Sequence, residues 1–149
     1  MQGILINPEE KTVTVVEDIE DGDINKLIEA SLLDVVRLEY NDAIYVDDEG
    51  LFMKHDFFAV DGLPNPLAGR GLVLGTDSEG YSTDPIHDLT AISNMVKFIS
   101  FDRALEMAQL VDTAGREREQ EFKENGAIGY IYVPVAEILE QARYTEESK

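Results

Sequence analysis

Asp34-Val35-Val36-Arg37-Leu38-Glu39-Tyr40-Asn41-Asp42-Ala43-Ile44-Tyr45-Val46 is the stretch that decides the fold. Val36, Leu38 and Tyr40 alternate with Arg37 and Glu39, the period of two that places apolar side chains on one face of a half-buried strand. Asn41 and Asp42 interrupt the alternation, and both residue types tolerate positive φ. The spacing therefore predicts a two-residue hairpin joining residues 35–40 to residues 43–46. Strands joined so closely pair antiparallel, because a parallel pair needs a crossover of roughly a dozen residues or more.

The same grammar extends upstream. Residues 3–6 and 12–16 are short apolar runs around Asn7-Pro8-Glu9-Glu10-Lys11, which reads as a first hairpin. Asp23 is placed to N-cap a helix over residues 23–33 with Ile24, Leu27, Ile28 and Leu32 on one face. Downstream, Asp47-Asp48-Glu49-Gly50 is a turn and residues 51–60 resume a strand-like pattern. Residues 61–71 contain Pro64 and Pro66 with three glycines, a shaped loop, and Leu72, Val73 and Leu74 form a buried strand. Residues 75–85 are polar and rich in turn formers, the connection expected to move most.

The remainder reads as helical. Asp88 can cap a helix with apolar positions Leu89, Ile92, Met95, Val96 and Ile99; Ser100 can cap another with Phe101, Leu105, Ala108 and Val111. After Gly115 the pattern fades into a solvated helix end over residues 116–124, with Glu119 and Lys123 spaced to pair and Asn125-Gly126 as the stop. Residues 128–133 read as a last strand. Pro134 then opens a closing helix with Val135, Ile138, Leu139 and Ala142 inward. The fold class expected is α+β: a mostly antiparallel sheet with one packed helix, then a helical extension and a closing strand and helix. Residues 1–149 are read as a single domain, sheet-rich and acidic over 1–80, helix-rich over 81–149.

Composition narrows function. The chain of 149 residues carries 31 acidic and 12 basic residues, net −19, yet 44% of it is apolar, enough for a core. Direct nucleic-acid binding is excluded as an expectation, because phosphate contacts need clustered Lys and Arg; anionic membranes are disfavoured for the same reason. No apolar run reaches the length of a spanning helix, and residues 1–8 lack the basic start of a signal peptide, so the cytosol is the expected location. With no Cys there is no disulfide, thiolate zinc site or thiol nucleophile.

Most catalytic motifs fail on spacing. Centring a calcium loop on Gly22 puts Ile19 and Ile28 at ligand positions, and centring one on Gly50 puts Tyr45 at the first. Gly69-Arg70-Gly71 with Gly75 is followed by a strand rather than a helix, so no helix N-terminus holds a pyrophosphate. Ser78 has Thr76 where a nucleophile elbow needs Gly. His55 and His87, with Asp56 and Asp88, have no further ligand at metal spacing; surface histidines and a helix cap explain them more simply. No cofactor, metal or catalytic residue is assigned, and the chain is expected not to be an enzyme.

Two features remain. The first is concentrated acid, five carboxylates in residues 17–23 and five in residues 39–49. Carboxylates on a rigid sheet can imitate phosphate spacing and draw in a basic partner, although the same charge also confers solubility. The contacts on this reading are Glu17, Asp18, Glu20, Asp21, Asp23, Asp42, Asp47, Asp48 and Glu49. The second is the stiff loop of residues 64–71 presenting Arg70. With Asn65, and with Tyr45 or Tyr81 as a stacking surface, it offers an alternative site for an anionic metabolite or signalling nucleotide. An Arg tying down the loop is the simpler role. Phe122, alone on a charged helix end, offers an anchor for a homodimerisation arm.

Residues 3–8, 34–38, 44–50 and 65–75, in that order and spacing, resemble domain-of-unknown-function family 3846, small proteins of phages, plasmids and other mobile elements. The resemblance covers roughly residues 3–80 and implies context rather than chemistry. It points to an accessory gene whose product acts in the host cytosol by stoichiometric binding, in the manner of inhibitors of host defence.

Overall fold

Leu72, Val73 and Leu74 are completely shielded from solvent because their strand lies at the centre of a sheet covered on both faces. The structure, a computed structural model, describes residues 1–50, 56–126 and 134–147. In chain order its elements are β1 (Gly3–Asn7), β2 (Thr12–Val16), α1 (Ile24–Ile28), β3 (Leu33–Arg37), β4 (Ala43–Asp47), β5 (Phe57–Val60), β6 (Leu67–Ala68), β7 (Gly71–Thr76), β8 (Ser82–Thr83), α2 (Leu89–Met95), β9 (Val96–Ile99), α3 (Phe101–Glu124) and α4 (Val135–Glu147). The fold is α+β, with every strand pair antiparallel.

The main sheet runs β2-β1-β7-β4-β3, with β8 extending the end of β7. Alternation sorts its side chains. Ile4, Ile6, Ile44, Val46 and Val73 point to one face, where they meet Phe58 and Val60 of β5, Ile92 of α2 and Val96 of β9. Leu5, Tyr45, Leu72 and Leu74 point to the other, where Ile24 and Ile28 of α1 cover them with Ile19. A second sheet, β6-β5-β9, separates this core from a third cluster. There Phe57 and Ala68 pack on Ala104 and Ala108 of α3 and Ala136 and Leu139 of α4. Adjacent Phe57 and Phe58 thus fill two different cores, each burial contributing about 1.5–3 kcal/mol. Gly71 lets the sheets approach: a Cβ there would sit 2.8 Å from Phe58 Cζ and 2.9 Å from Ile44 Cγ2.

The first hairpin and the buried β7 follow the sequence pattern, as do both caps. Asp88 Oδ1 accepts from Ala91 N at 2.8 Å and Ser100 Oγ accepts from Arg103 N at 3.1 Å. Other elements differ. The β3–β4 connection is longer than two residues: Arg37 pairs with Ala43, and Tyr40 and Asn41, not Asn41 and Asp42, take the positive φ values of 61° and 63°. Asp23 caps nothing in α1. Its side chain accepts from Glu20 N at 3.0 Å, closing a 3-10 turn that feeds the helix. That helix stops at Ile28, because Glu29 is left-handed and Asn25 Nδ2 donates to Ala30 O and Ser31 O, which leaves Leu32 exposed.

The apolar positions Val96 and Ile99 belong to β9 rather than to α2, paired with Val60 and Phe57 of β5. The helical part is thereby hydrogen-bonded into the sheet-rich part. Residues 75–85 are also more structured than their composition implies, since Asp77 Oδ1 accepts from both Glu79 N and Tyr81 N and β8 pairs with β7. α3 runs through Gly115 to Glu124, and Lys123 pairs with Glu119 at 2.9 Å. In α4 the buried positions are Ala136 and Leu139, with Val135 packed beside them and Ile138 half-buried. The expected strand over 128–133, the start of the 51–60 stretch, and the side chains of Phe122 and Ala142 lie outside the described residues.

Candidate functional site

The first acidic segment is built on one buried residue. Ile19 sits between Asp18 and Glu20 and is 3% exposed, locked into the α1-side core. Its amide donates to Met1 O at 2.7 Å, and the Met1 ammonium donates to its carbonyl at 3.0 Å. With the backbone pinned there and Asp18 at φ 57°, Glu17, Asp18, Glu20 and Asp21 stand in solvent on a fixed frame. None of the four is in an ion pair among the described residues, so their charge is not neutralised locally. Asp23, the fifth acid, is half-buried and spent on the turn.

The second segment divides. Asp48 and Glu49 are exposed and Asp47 is half-buried, its Oδ1 accepting from Glu49 N at 2.9 Å. Asp42 is no surface contact at all. Its side chain is 0% exposed and accepts from Ile86 N at 2.9 Å, from His87 N at 2.8 Å and from His87 Nδ1 at 2.6 Å. His87 is correspondingly not a free surface histidine, and its ring lies 5.7 Å from that of exposed Tyr40. The strand order also separates the two acidic segments. Residues 17–21 follow β2 at one edge, whereas Asp47 ends β4 and residues 48–49 follow it beside the other edge, at the opposite end of the strands. Three inter-strand steps of about 4.8 Å put them roughly 14 Å apart across the sheet, before the offset along the strands is added. They form two patches, not one continuous surface.

Beside the second patch lies a cavity of about 270 Å³. Val36, Val46, Leu67 and Val135 give it apolar walls, while Asp34, Asp47 and Asp48 supply carboxylates and Asn65 an amide. Asp34 reaches it because it faces the same way as Val36 and Val46 on edge strand β3. Among the described residues no Lys, Arg or His lines it. Asn65 Oδ1 is buried and accepts no hydrogen bond. The neighbouring α4 N-terminus is already satisfied, since Asp112 accepts from Val135 N at 3.0 Å and Ala136 N at 2.9 Å.

The residues of the alternative anion site are not brought together. Arg70 ties down its own surroundings: it is 3.3 Å from Glu29, 3.8 Å from Glu9, and donates to Leu27 O at 3.5 Å. Tyr45 lies on the α1 face of the main sheet with its hydroxyl 3.2 Å from Ser82 Oγ, and Tyr81 is exposed beyond β8. Asn65 lines the cavity with Val36 and Val46, on the opposite face. Two carboxylates are buried where the sequence pattern does not plainly announce it, Asp42, expected as a partner contact, and Asp112. The second had a signal: Ala104, Ala108 and Asp112 continue one row at intervals of four, where a charge can only be buried against a partner. His55 lies outside the described residues, and among those described no three His, Asp or Glu converge as metal ligands.

Comparison with protein-family models, with curated proteins and with solved structures finds no match. No helix among the described residues is long and apolar enough to cross a membrane.

Proposed function

We propose that this protein acts without catalysis, by stoichiometric binding of a basic partner to its acidic surface. The observation that carries the reading is the rigid presentation of Glu17, Asp18, Glu20 and Asp21 around buried Ile19. A flexible acidic tail confers solubility equally well. Carboxylates held on a pinned backbone instead keep fixed spacings, which is what a complementary array of Lys and Arg requires. Asp48 and Glu49 form a second contact patch. The resemblance of residues 3–80 to proteins of mobile elements supports the setting, a nucleic-acid-binding host-defence factor in the cytosol whose basic groove is occupied in place of nucleic acid.

Anion capture receives less support, because Arg70 is engaged by two carboxylates and the cavity beside its loop is acidic. The test is capture of host proteins by the immobilised chain across a salt series. Replacing Glu17, Glu20 and Glu49 by Gln and Asp18, Asp21 and Asp48 by Asn is expected to weaken capture and flatten its salt dependence. Retention of the same proteins with an unchanged salt profile would count against the reading.

A further inference from the structure

The cavity beside β3 and β4 has a composition that selects its occupant. We propose that it is the seat for a single basic side chain, lysine or arginine, projecting from the protein partner. The apolar walls of Val36, Val46 and Leu67 match an aliphatic stem, and Asp34, Asp47 and Asp48 give the same cavity carboxylates for a cationic end. Two of these carboxylates make only local bonds, Asp34 Oδ1 from Val35 N and Asp47 Oδ1 from Glu49 N, so each keeps acceptor capacity.

Size and charge favour this occupant over others. About 270 Å³ lies just under the range of roughly 300–1,000 Å³ typical of sites for drug-sized ligands, which suits one side chain better than a nucleotide. An anion would face three carboxylates, with no basic side chain among the described residues of the lining, and the nearby helix N-terminus is capped by Asp112. An uncharged apolar group would fill the walls but strip water from the carboxylates without compensation. A side chain with an apolar stem and a charged donor end satisfies both parts. The inference rests on the proposed function only for the source of that side chain. It adds a specific anchor to an otherwise long-range attraction.

The experiment titrates the isotopically labelled full chain with N-acetyl-lysine amide and N-acetyl-arginine amide, following backbone and Asn side-chain amide resonances. N-acetyl-norleucine amide, with a similar stem and no charge, is the comparison. The cationic probes are expected to shift Val36, Val46, Asn65 and Leu67 and to bind at least about tenfold more tightly than the norleucine probe, as a charge-assisted hydrogen bond gives. Asp48→Asn, an exposed and isosteric change, should weaken the cationic probes and leave the norleucine probe alone, and Asp47→Asn should do the same. Equal binding of all three probes, shifts confined to residues 17–21, or no shifts at all would each overturn the proposal. Failure here with salt-dependent capture intact removes only the anchor. Probe binding in the cavity with capture indifferent to loss of the carboxylates at residues 17–21 removes only the surface reading.

Discussion

Asp42 shows how far one carboxylate can depart from the role its neighbours play. Three donors from residues 86 and 87 converge on it in a site without solvent. Asp42→Ala leaves those donors unpaired, so urea unfolding should show a loss of about 3 kcal/mol or more. Asp48→Asn, on the exposed turn, should stay within about 0.5 kcal/mol of the parent. A similar cost for the two would mean that Asp42 does not pin this loop. Gly71 makes a second test, because its missing Cβ is space already taken by Phe58 and Ile44. Gly71→Ala should cost about 1–3 kcal/mol by forcing the sheets apart. An unchanged midpoint would contradict that contact.

At the scale of elements, the contacts that fix α4 among the described residues centre on its first turns: Val135, Ala136 and Leu139 in the third cluster, the Arg116–Glu137 pair, and the Asp112 cap. Asp112→Ala should therefore speed amide exchange throughout α4 while leaving β1, β4 and β7 protected, the signature of a local opening. Uniform loss of protection would show instead that α4 does not open separately. The contrast between α4 and α2 explains what was legible in the sequence. Caps at Asp88 and Ser100 and the apolar runs of β1, β2 and β7 are local properties, and local patterning reveals them. Val96–Ile99 is different, because its apolar residues fit a continued helix as well as a strand. Only the antiparallel ladder with β5, about forty residues away in the chain, decides between them. The burial of Asp42 is likewise set by residues 44 and 45 positions away. The site was half legible for the same reason: the acids are plain in the composition, whereas their separation to opposite ends of the sheet depends on strand order.

For the whole molecule the governing quantity is a net charge of −19 on 149 residues. Self-repulsion of that size destabilises the compact state, so raising NaCl from about 0.02 M to about 0.5 M should raise Tm as the Debye length shortens. A fall in Tm would mean that specific ion pairs, not repulsion, dominate. Repulsion alone, however, does not distinguish a solubilising charge from a recognition surface, because both scale with the total. Location distinguishes them. One variant replaces Glu17, Asp18, Glu20 and Asp21 with their amides; a second replaces exposed Glu79, Glu117, Glu121 and Glu140, so both lose four negative charges. The deciding measurement is the fraction of a host protein captured by each immobilised variant at the same moderate salt. Recognition through the pinned surface predicts that capture falls with the first variant and persists with the second. Equal capture by both, or equal loss from both, would contradict it.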